Sequence, residues 1–140
     1  VRGIEKTSML ARKAGVNVEV FQDDINTFRS SKTFDILFST GVLHYICPDL
    51  RATIMNHYKA ITSEGGLHAF SVFVRKPFIE LPPDAETTAH YWMTGELLSF
   101  YHDWHVDYCC EEIFDCSSSG VPHKHATNRV IATKPAPLGG

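Results

Sequence analysis

The sequence has no apolar stretch approaching the roughly 18 residues that cross a membrane, and no apolar segment of signal-peptide type follows its first five residues. It also has no run of basic residues, since lysine and arginine are scattered and the formal net charge is −3. A basic surface that binds nucleic acid is therefore not expected. We expect a cytoplasmic protein whose partners include neither a membrane nor a nucleic acid.

Cysteine is also sparse, with four residues in 140. The spacing of the cysteines matches neither a disulfide framework nor a Cys-x-x-Cys metal site, and a chain of this length can fold without disulfide bonds. We therefore expect reduced thiols and no bound metal. A metal site stays open as an alternative, because three histidines lie near the last three cysteines. The cysteines are Cys47, Cys109, Cys110 and Cys116, and the histidines are His105, His123 and His125.

The apolar content is sufficient for one domain. Hydrophobic residues make up 44% of the chain and charged residues 21%, and a chain of about 150 residues buries roughly two-thirds of its unfolded surface. We expect a single domain over residues 1–134. Residues 135–140 (PAPLGG) are expected to form a loose C-terminal tail.

Residues 34–46 organise the rest of the chain. Phe34 to Phe38 is nearly all apolar and of strand length, which is typical of a parallel strand buried on both faces. The run ends in Ser39, Thr40 and Gly41, which are small enough to let a ligand approach the backbone. Ligands of open α/β sheets bind beyond the carboxyl ends of the strands. We therefore expect this turn to form the floor of a site.

Strand and helix patterns alternate around this segment. A helix that begins at Pro48 has one apolar face and is expected to end at Gly65 and Gly66, and an equally apolar strand then follows at 67–74. Together with the central strand these elements predict a βαβ unit. Upstream, the patterns predict the end of a strand at 1–4, a short helix at 8–14 and a half-exposed strand at 16–21.

The segment 75–91 interrupts the alternation with three prolines. Two interpretations are open, a cover over the mouth of the site, since long ordered loops are usually functional, or a plain surface connection. Thr94 then favours the start of a helix. The apolar side of this helix is predicted to carry Leu97, Leu98, Tyr101 and Trp104.

Two further strands are predicted at 106–116 and 126–133. The connection between them is rich in serine and contains Gly120, so we expect an antiparallel hairpin. Alternating strands and helices that finish in a hairpin predict the α/β class, with a doubly wound sheet whose last strand is reversed.

Six short motifs occur along the chain, GIEK at 3–6, QDDIN at 22–26, FDILFST at 34–40, EGG at 64–66, TGEL at 94–97 and PHKHA at 122–126. In this order they resemble class I S-adenosylmethionine-dependent methyltransferases, in particular the tellurite-resistance (TehB-like) branch. The resemblance spans nearly the whole chain. It implies a Rossmann-like sheet of order 3-2-1-4-5-7-6, S-adenosylmethionine as cofactor, and methyl transfer to tellurite, selenite or another small molecule.

The resemblance also implies six cofactor-binding residues. Glu5 would accept hydrogen bonds from the ribose, Asp24 would accept one from the adenine amino group, and Ile25 would pack on the adenine ring. A solvated position at a helix start is the simpler alternative for Glu5, and an ordinary Asx turn is the alternative for Asp24. The turn of Ser39, Thr40 and Gly41 would pass beneath the methionine part.

Three histidines are the candidates for catalysis. By the resemblance, His44 lies in the stretch 42–45 that would face the reacting methyl group, although a satisfied interior histidine is the alternative. His123 and His125 alternate just before the strand predicted at 126–133, and on a strand they would share a face. Two imidazoles on one face could bind an anion or transfer a proton, and a solvent-facing pair is the alternative.

The Gly-rich turn that follows the family's first strand is missing, because the sequence contains no G-x-G. By the resemblance the chain begins inside the second strand, so we expect a truncated sheet in which residues 34–40 have an unpaired edge. Three ways of covering this edge are open: the second or third strand pairs with it, a second copy of the chain does so, or another polypeptide supplies the missing part. Pairing between copies is the simplest, because an unpaired strand edge is a template for association. We therefore expect a homo-oligomer, most simply a dimer. A non-catalytic oligomeric binding or scaffold domain is the alternative to an enzyme.

Overall fold

The computed structural model describes residues 2–83 and 85–138. The described residues form a four-stranded mixed sheet and three helices. The helices are α1 (Arg2–Ala14), α2 (Arg51–Ala60) and α3 (Glu96–Ser99), the strands are β1 (Phe34–Thr40), β2 (Thr62–Val74), β3 (His105–Cys116) and β4 (His123–Thr133), and single 3-10 turns occupy Leu43–Tyr45 and Pro48–Leu50.

The strand order in the sheet is β1-β2-β4-β3. β1 and β2 are parallel, and Leu37 lies opposite His68 in their register. β4 is antiparallel to both of its neighbours, β2 and β3. This arrangement confirms the α/β class, the βαβ unit and the hairpin. It corresponds to the last four strands, 4-5-7-6, of the order that the resemblance implies.

The core lies on one face of the sheet. Alternate residues of β2, such as Phe70 and Val72, are buried there against α2 and against the region around α3. Other fully buried side chains of this core are Ile54, Met55, Trp92, Leu97 and Tyr101. The predicted positions of Leu97, Tyr101 and Trp104 in the core are confirmed, whereas Leu98 is 38% exposed.

β1 is not buried on both faces as the apolar run had predicted. Leu37 packs against the core, but Ile36 and Phe38 project from the other face and are 62% and 73% exposed. β1 is also the last strand on its side of the sheet. The expectation of an unpaired edge therefore holds for the described residues, and the exposed face follows because no described element packs on Ile36 and Phe38.

The N-terminal region differs from the prediction. The short helix predicted at 8–14 is confirmed as the second half of α1, but α1 already begins at Arg2 and so replaces the strand expected at 1–4; Val1 lies outside the described residues. The segment 16–21, predicted as a strand, has no regular structure, and Val16 and Val18 are about half exposed. A strand needs a neighbour to pair with, whereas a helix pairs its own backbone groups. Since β1 has no second partner strand within residues 2–83 and 85–138, local hydrogen bonding decides the conformation here.

The boundaries of two other elements also differ. α2 ends at Ala60 instead of continuing to the glycine pair, because β2 already begins at Thr62. Gly65 and Gly66 instead form an irregularity in β2, where a Cβ on Gly66 would come within 2.8 Å of the carbonyl oxygen of Asp35. The helix predicted from Thr94 is reduced to the four residues of α3, and its N-cap is Gly95, with φ of 79°, instead of Thr94.

No described helix is long and apolar enough to span a lipid bilayer. All four cysteines are described, and none forms a disulfide bond. Residues 135–138 of the predicted tail have no regular structure, and residues 139 and 140 lie outside the described part of the chain.

A buried polar network ties α2, β2 and the region after α3 together. Thr62 Oγ1 donates to the carbonyl oxygen of Tyr58 at 2.7 Å, so His68 Nε2 must donate to Thr62 Oγ1, 2.8 Å away. His68 Nδ1 then accepts from the Tyr101 hydroxyl at 2.8 Å. Burial lowers the pKa of His68 to about 4. The imidazole is therefore neutral at neutral pH, as this network requires.

This network predicts a loss of stability in acid. The pKa of His68 falls from 6.5 in the unfolded chain to about 4 in the folded chain, so between these values the unfolded chain binds the extra proton. The stability due to neutral His68 is complete above pH 6.5 and is lost as the pH falls toward 4, by up to about 3 kcal/mol. Urea unfolding measured across this range should show the decline.

The matched controls are His68→Gln and His102→Gln. His68→Gln should be less stable at neutral pH but should show a flatter pH dependence, because the titrating group is gone. His102 is exposed, so His102→Gln should leave the pH dependence unchanged. An equally steep decline in His68→Gln would show that other groups cause it.

Candidate functional site

The carboxyl ends of β1 and β2 lie side by side, because the two strands are parallel. Beyond β1 the chain turns sharply at Gly41, whose φ of 65° favours glycine. The 3-10 turn Leu43–Tyr45 follows directly and buries Leu43 and His44. This is the edge at which open α/β sheets bind ligands, as the sequence had predicted for residues 39–41.

A cavity of about 260 Å³ opens at this edge. Three parts of the chain form its wall, namely the ends of β1 and β2 with the turn that follows β1, the segment 75–91, and the hairpin of β3 and β4. The lining residues are Gly41, His44, Tyr45, Phe73, Pro82, Ala85, Glu86, Ala89, Tyr91, Ser118 and His125.

The segment 75–91 covers this cavity, which favours the first of its two interpretations. Five of its residues belong to the wall. Its inner end is fixed to the turn after β1, since His90 N donates to the carbonyl oxygen of His44 at 2.7 Å and Trp92 Nε1 donates to that of Leu43 at 3.2 Å. Near its middle, the Tyr45 hydroxyl donates to Glu86 Oε2 at 2.7 Å.

Arg51 provides the strongest anchor for the inner end of this segment. The Arg51 side chain is 5% exposed and lies 2.7 Å from the carboxylate of Glu96. It also donates to the carbonyl oxygen of His90 at 2.7 Å, and its guanidinium lies 4.3 Å from the centre of the Trp92 ring. One cation at the start of α2 thus holds both the inner end of the cover and α3.

His44 is the buried titratable group of the cavity. Burial lowers its pKa, and the charge of Glu86 opposes this effect only in part. Its Nδ1 atom is buried and has no hydrogen-bond partner within the described part of the chain. The ring lies 4.2 Å from that of Tyr45 and 5.3 Å from that of Phe73. His44 lines the cavity, so its neutral imidazole can contact a ligand there.

Tyr45 and Glu86 form a polar pair in the same wall. The hydrogen bond to Glu86 is the main cause that raises the pKa of Tyr45, and desolvation adds to it. The tyrosine therefore stays protonated and acts as a donor. Sequence reasoning did not select Glu86, because nothing in the sequence shows which residue of a proline-rich loop will face inward.

His123 and His125 lie on one face of β4, as their alternation predicted. Their Nε2 atoms are 2.9 Å apart. The two residues have different surroundings, since His125 lines the cavity with Phe73, whose ring is 4.9 Å away, and His123 lines a neighbouring cavity of about 310 Å³. The Phe73 ring thus lies between the rings of His44 and His125. Sequence reasoning did not select Phe73, because it looks like an ordinary apolar residue near the end of a strand.

The six predicted cofactor-binding residues lie in several places. Ile25 and Ser39 line one apolar cavity of about 230 Å³ with Leu37, Leu43 and Phe70, and Thr40 and Gly41 line a smaller one of about 100 Å³. The structure thus brings Ile25 close to the end of β1.

The structure agrees with the simpler alternative for both Asp24, an ordinary Asx turn, and Glu5, a solvated position at a helix start. Asp24 Oδ1 accepts from Asn26 N at 2.9 Å in an Asx turn. Glu5 is exposed in the first turn of α1 and not at the end of a strand, because the expected strand is absent. The cofactor contacts of all six residues stay predictions.

Known proteins support the fold. No protein-family model matches the chain. Malonyl-[acyl-carrier protein] O-methyltransferase 1 of Ilyobacter polytropus is 28% identical over 71 residues, which cover 51% of this chain and 26% of that protein. TehB from Haemophilus influenzae superposes with a TM-score of 0.77 at 19% identity, over 91% of this chain and 44% of TehB.

A third similar protein has ligands bound. The 1,6-didemethyltoxoflavin-N1-methyltransferase of Burkholderia thailandensis, with 1,6-didemethyltoxoflavin and S-adenosylhomocysteine, superposes with a TM-score of 0.62 at 18% identity, over 93% of this chain and 56% of that protein. The fold is therefore the Rossmann-like fold of S-adenosylmethionine-dependent methyltransferases, as the resemblance predicted. The chain spans less than half the length of TehB and about a quarter of the Ilyobacter protein.

The anchoring role of Arg51 can be tested by Arg51→Met, which keeps the apolar stem and removes the charge. Because Glu96 and the carbonyl oxygen of His90 then lose their buried donor, we expect the free energy of unfolding to fall by about 2–4 kcal/mol, measured with urea. Arg129→Met breaks the half-exposed pair with Glu112 and should cost less than about 1 kcal/mol. Equal losses in the two variants would contradict the assignment.

Proposed function

We propose that this chain is part of a cytoplasmic S-adenosylmethionine-dependent methyltransferase and contributes the binding site for the methyl acceptor. The observation that carries the proposal is the covered cavity at the carboxyl ends of β1 and β2, with His44, Phe73 and His125 in its wall. In a methyltransferase fold this edge of the sheet is where cofactor and acceptor must meet.

The residues present fit the adenine half of the cofactor. Ile25 and Ser39 border an apolar cavity beside the end of β1, and the Asp24 carboxylate has further lone pairs with which to accept the adenine amino group. The turn at Gly41 would lie under the methionine end, although the chain contains no G-x-G to support it. When bound, S-adenosylmethionine would supply a methyl group on a positively charged sulfur.

The chain's own residues would orient the acceptor and exclude water. Methyl transfer to a soft nucleophile or an oxyanion depends mainly on alignment. His44 is neutral and its Nδ1 has no protein partner in the described chain, so it can accept a proton from a protonated acceptor or fix its direction. His125 faces the same cavity, and the 75–91 segment closes it. Tellurite or selenite is the acceptor that the TehB-like motifs favour.

Cofactor binding can be tested by titrating the chain with S-adenosylmethionine and S-adenosylhomocysteine in a calorimeter. We expect micromolar binding that Asp24→Ala weakens by about tenfold or more, since it removes a charge-assisted hydrogen bond. Asp115→Ala, at an exposed site on the hairpin, is the control and should bind normally. No heat at millimolar ligand would favour the non-catalytic alternative for these residues.

The acceptor site calls for a different variant. His44→Gln should leave S-adenosylhomocysteine binding intact and should lower methyl transfer to selenite by about 100-fold, because it removes the imidazole but no adenine contact. Loss of cofactor affinity in His44→Gln would contradict a role restricted to the acceptor.

A second copy of the chain is proposed as the partner. β1 exposes both its outer edge and the apolar side chains of Ile36 and Phe38. Antiparallel pairing of two β1 strands about a twofold axis would satisfy the backbone groups of the edge and would place Ile36 and Phe38 of one copy beside those of the other. This interface is also compatible with the non-catalytic alternative, because it does not need the cavity.

Light scattering after size-exclusion chromatography at micromolar concentration tests the dimer. We expect the mass of two chains for the unmodified protein and of one chain for Phe38→Lys, which puts a charge on the paired strand. Phe78→Lys is the matched control, since Phe78 is 74% exposed, compared with 73% for Phe38, and lies outside the sheet. A folded monomer of the unmodified chain would refute the dimer.

A further inference from the structure

Three residues with metal-binding side chains meet at the open end of the hairpin. Cys116 is the last residue of β3 and lies directly opposite His123 of β4. Opposed residues of an antiparallel pair share a face, and His125, two residues along β4, shares it too. The pairing register therefore brings together a thiol and two imidazoles that the sequence separates by up to nine positions.

The distances are short enough for one ion. One ligand atom from each of Cys116, His123 and His125 lies within 4.8 Å of the others, and all three residues are half-buried. A tetrahedral zinc ion with bonds of about 2.0–2.3 Å places its ligand atoms roughly 3.3–3.6 Å apart. The Nε2 atoms of the histidines are already 2.9 Å apart, so small side-chain rotations suffice.

The orientation of His123 also suits a metal ligand. Its Nδ1 lies 2.8 Å from the carbonyl oxygen of Val121, which can only accept, so the ring proton is on Nδ1. The lone pair of Nε2 therefore points toward His125. In histidines that bind metals, the N–H of the other ring nitrogen almost always donates a hydrogen bond to a carbonyl or carboxylate oxygen in this way.

We propose that Cys116, His123 and His125 bind a zinc ion. A thiolate and two imidazoles form the set of nitrogen and sulfur donors that Zn²⁺ prefers, and no carboxylate in the set would favour Mg²⁺ or Ca²⁺. On binding, the Cys116 thiol releases its proton to solvent, and the Nε2 proton of His125 moves to Nδ1, so that both nitrogens and the sulfur donate lone pairs.

The ion would lie at the rim of the cavity described above. His125 lines that cavity, and so does Ser118, whose Oγ lies 3.2 Å from the Cys116 sulfur. Three protein ligands leave a fourth position for water or an anion that enters from the cavity. The zinc site would thus place a positive charge at the rim of the cavity, near Phe73, where an anionic molecule would bind.

Cobalt provides the test, because Co²⁺ occupies zinc sites and absorbs visible light. Titration of the reduced chain, without a histidine tag, should give one ion per chain, intense tetrahedral d–d bands and a near-ultraviolet thiolate-to-cobalt band, all removed by added Zn²⁺. Cys116→Ser should abolish the thiolate band. His123→Gln and His125→Gln should each weaken binding by at least about tenfold, and circular dichroism should show that the variants remain folded.

Cys109→Ser and Cys110→Ser are the matched controls, because these cysteines are on the same strand but outside the cluster. Both should keep the thiolate band. Absence of the band in the unmodified chain, or its persistence in Cys116→Ser, would overturn the proposal. The cobalt titration uses no cofactor and no methyl acceptor. Its result therefore tests the zinc proposal separately from the proposed methyl transfer.

Discussion

The parallel pairing of β1 with β2 is the constraint on which the rest of this structure depends. It places Thr40 opposite Ser71, so that the chain leaves both strands at the same edge of the sheet. The turn at Gly41 then lies against Phe73, which a Cβ at Gly41 would approach to 4.0 Å. β2 in turn fixes β4, since Phe73 is opposite Thr127. His125 therefore lies near the same edge, although it is far from His44 in sequence.

The sequence predicts well those elements whose residue pattern is compatible with only one type of secondary structure. The apolar runs around Leu37 and at 67–74 are of strand length, and the hairpin has a clear turn, so these strands form as expected. The prediction was wrong at residues 1–4 and 16–21, because alternation shows only that a segment could form a strand. Whether it does depends on an available neighbour, which local sequence does not reveal.

The candidate site was predictable to the same degree. The shared face of His123 and His125 follows from the period of a strand, and the turn at 39–41 follows from the topology. The meeting of His44, Phe73 and Glu86 could not be predicted, since it depends on how the 75–91 segment folds back onto the sheet. The hairpin register that brings Cys116 opposite His123 was in principle available, because the strand ends and the turn length determine it.

Two of the attachments of the 75–91 segment, the one at Arg51 and the one at Tyr45, differ in kind. At its inner end a buried guanidinium is fixed by Glu96, a carbonyl oxygen and an aromatic ring, whereas near its middle a single solvent-accessible hydrogen bond joins Tyr45 to Glu86. Thermal opening of the 75–91 segment should begin at the attachment that has the fewest buried polar contacts to break. Molecules should therefore enter and leave past Glu86, on the side away from Trp92, and that route brings them to the His44 ring from the Tyr45 side.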